Sequence, residues 1–191
     1  MLISPFVAAL VFFINTIFGI YIFLVMLRFI LQWQQVGFRG DPIVGLLWKT
    51  TDPPLKLLYN FIPGWHGIDF AAIVLMFGLK VLEVTSIAWL YGQHISAFGL
   101  FLVSIASLLS LTIYIFIFAI LIQAILSWIA PQTSYNNPLA NILYYLTEPL
   151  LRSVRGKIPP LQGLDLSPLV VVIALQLAEI LLVGFLQQLA R

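Results

Sequence analysis

The most constraining feature of the sequence is an internal repeat with a single spacing. A set of polar, Pro-bounded landmarks in the first half returns 96 positions later in the second half. The landmarks are Asp41-Pro42, Thr51-Asp52-Pro53, Lys56, Ile62-Pro63 and Gly67-Ile68-Asp69, which return as Asn137-Pro138, Thr147-Glu148-Pro149, Arg152, Ile158-Pro159 and Gly163-Leu164-Asp165. One offset shared by separate landmarks predicts a duplicated structural unit. We therefore divide the chain into a first repeat, residues 1–95, and a second, residues 96–191.

Composition places both repeats in a lipid bilayer. The chain is 62% hydrophobic and only 8% charged, with a mean hydropathy of +1.08, unlike a soluble domain. Four stretches exceed the ~20 apolar residues that a membrane-spanning helix needs; they cover residues 5–33, 69–91, 95–129 and 165–189. No Lys or Arg precedes the first stretch, so we expect a retained span rather than a cleaved signal peptide. The predicted fold is an all-α membrane protein of two tandem helical hairpins.

Basic residues predict the orientation of the hairpins. The loops over residues 34–68 and 131–164 contain six Lys or Arg residues, whereas the turn between the hairpins has none and only Arg191 is basic beyond the spans. Because cytoplasmic loops are enriched in Lys and Arg, both long loops are predicted to be cytoplasmic and both termini outside. The two hairpins then share one orientation, as a parallel repeat.

Each long loop is predicted to contain short amphipathic helices. Pro42 and Pro138 follow an N-cap residue, which is a helix-start signature, and predict helices near residues 42–50 and 138–146. A second helix is predicted to restart at Thr51 or Thr147 and to end before Pro63 or Pro159. Two interpretations stay open: these helices lie at the headgroups of an anionic leaflet, or they cap the spans structurally. The candidate membrane-surface or partner contacts are Trp48, Lys49, Lys56, Arg152, Arg155 and Lys157.

These motifs resemble the YggT family of bacterial integral membrane proteins. The resemblance rests on the Asp-Pro, Thr-Asp-Pro and Gly-Ile-Asp-Phe motifs of the first repeat and their counterparts ending in Leu166-Ser167-Pro168, and it covers nearly the whole chain. The first repeat departs from it at Ala72, where the second has Pro168. The resemblance implies a multi-pass protein of the bacterial inner membrane, without enzymatic activity. It also implies links to membrane integrity under osmotic stress, to cell division or nucleoid distribution and, in plastid relatives, to cytochrome maturation.

Ionisable residues inside the spans form a candidate polar site. Lys80 and Glu83 fall near the bilayer midplane, and the repeat places Gln176 and Glu179 at the same depth. Intramembrane charges cost at least ~2.5–3.5 kcal/mol each, so they face the protein interior, pair, or mark a pathway. Lys80 and Glu83 could simply form an ion pair along one helix. Alternatively Glu179 is protonated, or shares Lys80 across the repeat interface in an acidic centre that binds a cation or carries a proton.

Three further charged residues have structural interpretations. Arg28, matched by uncharged Gln123, is expected to snorkel to the loop side or to meet Asp69. Asp69 and Asp165 stand where the N-caps of the second and fourth spans belong.

Two function hypotheses follow from these features. The first is a non-catalytic organiser or assembly factor that acts through the loops on lipid or on other membrane or division proteins. The second is a small channel or transporter built around Glu83, Glu179 and Lys80, which would require oligomers of the chain. We expect no cofactor, no metal site and no direct nucleic-acid contact, because the chain has no cysteine, two histidines on opposite membrane sides and few basic residues.

Overall fold

The computed structural model describes residues 4–34, 42–62, 64, 67–129, 138–156 and 165–190. The predicted boundary residues Asp41, Asn137, Pro63 and Pro159, and the candidate contact Lys157, lie outside these ranges. The helices are α1 (Pro5–Trp33), α2 (Pro42–Tyr59), α3 (Phe70–Leu90), α4 (Ala97–Ile129), α5 (Pro138–Arg155), α6 (Ser167–Ala178) and α7 (Gly184–Leu189), with a π-helical segment (Glu179–Val183) between the last two.

Four of these elements are long and apolar enough to cross a membrane. They are α1, α3, α4 and the run of α6, the π segment and α7. At most a third of the residues in the apolar stretch of each span is buried by the protein, so the protein itself leaves much of the surface of the spans uncovered. This arrangement suits helices whose backbone bonds are all internal and whose surface faces lipid. The predicted all-α fold with four spans is confirmed.

The spans pack as two hairpins joined through their inner helices. In the first hairpin α1 packs on α3, and in the second α4 packs on α6, the π segment and α7. The contact between α3 and α4 connects the hairpins. A tight turn links α3 to α4, and Gly92 adopts φ 64° there, a conformation that is costly for residues with a Cβ. We call this end of the molecule the turn side.

The best-packed region lies at the opposite end, which we call the loop side. Buried side chains of α1, α2, α3, α4 and α5 form one core cluster there, including Val25, Leu47, Leu55, Ala72 and Leu146. A smaller cluster joins α4, α5 and α6 through Ile120, Leu151 and Val171. The helices α2 and α5 therefore hold the loop-side ends of the spans together.

The predicted restart of a second helix within each loop is wrong. Helix α2 continues through Pro53 and Pro54, and α5 continues through Pro149. The threonines before these prolines are not N-caps of a new helix. The hydroxyl of Thr51 donates to the carbonyl of Leu47, four residues earlier, at 2.8 Å, and the hydroxyl of Thr147 donates in the same way to the carbonyl of Leu143. Such i−4 bonds are compatible with a continuing, bent helix, so the described part of each loop forms a single helix of 18 residues.

The fourth span contains a π-helical segment between two α-helical parts. The π segment begins at Glu179 and ends before Gly184. Insertions of this kind occur mostly as single wide turns within α-helices and are frequent at functional sites. The change in hydrogen bonding thus coincides with the intramembrane carboxylate of the second repeat.

Candidate functional site

In the first repeat, Arg28 is the centre of a polar cluster at the loop side. It lies on α1 and is only 4% exposed. Its Nη1 donates to Asp52 Oδ1 at 2.6 Å and to Thr51 Oγ1 at 2.8 Å, both on α2. Its guanidinium carbon also lies 4.8 Å from the ring centre of Trp48, a cation–π distance. Trp48 therefore contacts Arg28 as well as presenting an exposed face.

Of the two alternatives expected for Arg28, a direct contact with Asp69 does not form. Arg28 pairs with Asp52 on α2 instead, and α2 packs on both α1 and α3. Tyr59 links the two groups: its hydroxyl accepts from Arg28 Nη2 at 3.4 Å and donates to Asp69 Oδ2 at 2.5 Å. Asp69 Oδ1 accepts the backbone N–H of Ala72 at 3.0 Å, so Asp69 caps α3.

The pKa values of this cluster follow from its contacts. Partial burial alone would raise the pKa of the Asp52 carboxyl, but the hydrogen bond and charge of Arg28, helped by Lys56, lower it below its usual value. Burial, together with the hydrogen bond to Asp69, raises the pKa of Tyr59 to about 12. Asp52 thus stays ionised and Tyr59 stays a hydrogen-bond donor at neutral pH.

The second repeat forms a corresponding cluster with its charges rearranged. The hydroxyl of Thr147 on α5 contacts Gln123 Oε1 on α4, as Thr51 contacts Arg28. Arg155, which corresponds to Tyr59, donates from Nε to Asp165 Oδ2 at 2.8 Å and from Nη1 to Glu148 Oε2 at 2.9 Å. The cation that the first repeat supplies from a span is supplied in the second by the loop helix.

Asp165 is not the N-cap of the fourth span that was predicted. The N-cap position belongs to Leu166, which makes no side-chain cap. Asp165 lies one residue before the N-cap position. Its Oδ1 accepts the backbone N–H of Ser167 at 2.9 Å, and its Oδ2 pairs with Arg155. Burial alone would raise the pKa of Asp165, but hydrogen bonds from Ser167 and Arg155 lower it.

The other loop cations that the structure describes lie on the outside of α2 and α5. Lys49 and Arg152 are exposed. Lys56 is 72% exposed and lies 3.4 Å from Asp52 Oδ2, a weak surface ion pair. These side chains are accessible to lipid headgroups or to a partner.

The intramembrane residues form two separate contacts rather than one centre. Lys80 Nζ donates to both carboxylate oxygens of Glu83, at 2.8 and 2.9 Å, and Glu83 is 4% exposed. Glu179 accepts from Ser110 Oγ on α4 at 3.2 Å, while Gln176 is half-buried one turn earlier. Among the described residues Lys80 forms an ion pair with Glu83 and not with Glu179, so the structure does not show the expected sharing of Lys80 across the repeats.

Sequence reasoning missed the central role of two threonines and one tyrosine. Thr51 and Thr147 are fully buried and anchor the loop helices to the spans, and Tyr59 links the charges of the first cluster. A signal was present for the threonines, because they recur at the repeat spacing. Within the described residues, no group of three or more His, Asp or Glu side chains is placed to hold a metal ion.

These features define the class of the protein. Four apolar helices in two hairpins, joined at one end by amphipathic helices and polar clusters, make a multi-pass all-α membrane protein. The family described as CCB3/YggT matches residues 7–90 and 102–186, and the chain belongs to this family.

Bacterial relatives resemble the chain over most of its length. An uncharacterized protein of Pseudomonas aeruginosa PAO1 is 37% identical over 92% of this chain and 89% of its own. An uncharacterized protein of Vibrio alginolyticus is 34% identical over 90% and 91%, and the uncharacterized protein YggT of Escherichia coli K12 is 30% identical over 87% and 85%. Neither these names nor the family description indicates a catalytic activity. No solved structure matches the chain.

Proposed function

We propose that the protein is a non-catalytic organiser or assembly factor of the bacterial inner membrane that acts through α2 and α5 at the membrane surface. The observation that carries the proposal is the outward face of these helices. Leu46 and Leu57 are 66% and 69% exposed, and Phe61, just beyond α2, is 83% exposed. On α5, Tyr144 is exposed in the same manner.

An exposed apolar face beside basic residues is stable where headgroups meet acyl chains. Lys49 and Lys56 on α2 and Arg152 on α5 are exposed near these apolar side chains, and each basic residue close to an anionic surface contributes about 1 kcal/mol of attraction. The opposite faces of both helices are buried against the spans through Leu47 and Leu146. The membrane-surface and structural-cap interpretations are thus compatible, because they concern different faces.

The proposal includes orientation and partners. We place α2 and α5 on the cytoplasmic side and both termini outside, on the six-to-one distribution of basic residues. The lipid bilayer itself, anionic lipids and other membrane or division proteins are the partners that suit these faces, and a homo-oligomer is compatible with the outward-facing spans. Maintenance of membrane integrity, in osmotic stress or in division, is the proposed process.

The experiment is a complementation test under osmotic downshock. A strain with its own copy deleted would carry either the wild-type chain or the variant Leu46→Glu with Leu57→Glu, which removes the apolar face of α2. We expect the variant to insert normally, as judged by its level in membranes, and to survive as poorly as the deletion strain. Thr50→Glu with Asn60→Glu is the matched control, because it adds the same two charges at exposed polar positions of α2 and its end and removes no apolar side chain.

Two results would contradict the proposal. Equal survival of the deletion and wild-type strains would show that the protein does not maintain membrane integrity under osmotic downshock. Full survival of the double Glu variant would remove α2 as the working surface.

The alternative function is a small channel or transporter with an acidic intramembrane site around Glu83, Glu179 and Lys80. Its support is weakened because Lys80 is bonded to both oxygens of Glu83 and Glu179 is bonded to another helix. Flux of protons or monovalent cations into vesicles containing the chain, abolished by Glu179→Gln, would favour this alternative over the organiser function.

A further inference from the structure

The second repeat contains an open groove at the loop side. It lies between the end of α4, the end of α5 and the start of α6, and has a volume of about 300 Å³, at the small end of the range for ligand sites. Its wall is mostly apolar, with Ala124, Leu169 and Val172 among the lining residues, and Arg155 and Asp165 stand at its polar edge. The groove therefore has an apolar body and a charged mouth.

The first repeat shows why the groove is open. The spans α1 and α4 correspond at a spacing of 95, as Arg28 and Gln123 do, so Ala124 and Ser127 correspond to Phe29 and Gln32. At the spacing of 96 that relates the later helices, Val172 corresponds to Met76. Met76 is buried in the main core, and Phe29 packs against that core. Smaller side chains at all three positions leave space in the second repeat that the first fills with its own atoms.

The mouth of the groove carries charges of both signs. Arg155 bonds to Glu148 and Asp165, so one positive charge faces two negative ones and the trio has a net charge of −1. The side chains of Arg155 and Asp165 are 40% and 44% exposed, and both remain accessible. A ligand bearing only negative charge would meet net repulsion there, whereas a ligand with a phosphate and an ammonium group would complement both residues.

We propose that this groove binds one membrane phospholipid with a zwitterionic phosphate–ethanolamine headgroup. An acyl chain lies along Ala124 and Leu169, the phosphate accepts hydrogen bonds from Arg155, and the ammonium donates to Asp165. The location supports this occupant, since the groove opens where the fourth span begins and hence at headgroup depth. The site does not depend on the organiser function, and its test can fail without contradicting that function.

The experiment is a lipid titration of the purified full-length chain in detergent, followed by native mass spectrometry. Phosphatidylethanolamine and phosphatidylglycerol with identical acyl chains are compared, so that only the headgroup differs. We expect the first phosphatidylethanolamine to bind about tenfold more tightly than phosphatidylglycerol, which corresponds to about 1.4 kcal/mol. Equal or tighter binding of phosphatidylglycerol would overturn the proposal.

Variants test the groove itself. Ala124→Phe installs the residue of the first repeat and should weaken binding of phosphatidylethanolamine about tenfold, whereas Ile173→Phe, on the exposed surface of α6, should leave it unchanged. Asp165→Asn keeps an acceptor for the Ser167 N–H but removes the charge, so it should abolish the preference for ethanolamine.

A second variant covers the case in which Ala124→Phe does not fold, as judged by circular dichroism and thermal unfolding. Ser127→Gln narrows the same groove with the residue of the first repeat and should also weaken binding. Unchanged binding in Ser127→Gln together with an unchanged headgroup preference in Asp165→Asn would overturn the site.

Discussion

At the scale of single residues, each repeat combines one arginine with the same two acidic positions, but the arginine comes from a different helix. In the first repeat Arg28 on α1 pairs with Asp52 and reaches Asp69 through Tyr59. In the second, Arg155 on α5 pairs with both Glu148 and Asp165. A duplicated unit can thus exchange the position of a charge while keeping its loop helix tied to its spans, because both positions face the same carboxylates.

This exchange predicts a rescue between repeats. Arg28→Gln gives the first repeat the residue of the second and leaves Asp52 with only its weak surface pair to Lys56. The loss of the arginine should destabilise the protein by about 1.5–3 kcal/mol, the usual contribution of a charge-assisted hydrogen bond. Adding Tyr59→Arg supplies the cation from α2 and should restore about half of the loss or more. Chemical denaturation in detergent measures both changes. A double variant no more stable than Arg28→Gln alone would refute the equivalence of the two clusters.

The carboxylates of the clusters predict a pH dependence of stability. The pKa values of Asp52 and Asp165 are lowered in the folded protein, so their contribution is present above the unfolded value of about 3.9 and is lost as the pH falls through the lower folded values. The variant Asp52→Asn with Asp165→Asn should therefore be less stable than the wild type at pH 7. The thermal unfolding midpoints of the wild type and the double variant should converge as the pH is lowered. If the difference between the two midpoints stays constant down to the pKa values of the folded protein, Asp52 and Asp165 do not stabilise the fold through their charges.

The buried pair in the third helix predicts a coupling inside the membrane. Lys80→Met leaves the buried carboxylate of Glu83 without its cation, and such stranding costs about 3–5 kcal/mol. Lys80→Met with Glu83→Gln should be tolerated better, and a double-mutant cycle on detergent-solubilised protein measures the coupling. Gln176→Met at the corresponding position of the second repeat is the control and should have a small effect. If Lys80→Met alone leaves stability unchanged, the ion pair contributes nothing.

At the scale of helices, α2 and α5 have the same bounds after a shift of 96 residues, 42–59 and 138–155. The sequence predicts that both helices exist and that each starts at its proline, because an N-terminal proline and a stripe of apolar residues are local signals. The sequence does not predict that the helices continue through Pro53 and Pro149. A Thr-acidic-Pro sequence is typical of a helix start, and only packing of Thr51 and Thr147 against the spans decides that these threonines bond backward instead.

Continuity predicts a fixed distance along each loop helix. Spin labels at Gly45→Cys and Leu57→Cys, or at Asn141→Cys and Ser153→Cys, lie twelve residues apart on exposed positions, and twelve residues of α-helix span about 18 Å. The chain has no cysteine of its own, so the labels are unique. Double electron–electron resonance should give one narrow distribution near this distance in each helix. A broad or bimodal distribution in α2 alone would place a break at its two prolines.

At the scale of the whole molecule, the number and course of the spans could be predicted because hydropathy acts over long windows and is insensitive to local detail. The arrangement of the intramembrane charges could not. Depth placed Glu83 and Glu179 at one level, but their separation depends on which helices are neighbours, and α4 packs with both α3 and the π segment. The π segment at Glu179 likewise has no periodic signal, since apolar residues surround it at nearly every position of the helix.

The orientation of the whole molecule is the last prediction. The two hairpins of the structure place α2 and α5 together at the loop side and the Gly92 turn at the other end. A reporter at either end therefore determines the orientation of both hairpins. The loops carry six basic residues against one elsewhere outside the spans, which predicts a cytoplasmic loop side. A fluorescent or phosphatase reporter fused after Ser134 should report the cytoplasm, and one fused after His94 the outside. The same location for both reporters would end the four-span topology, whereas an exchange of the two would keep the topology and invert the orientation.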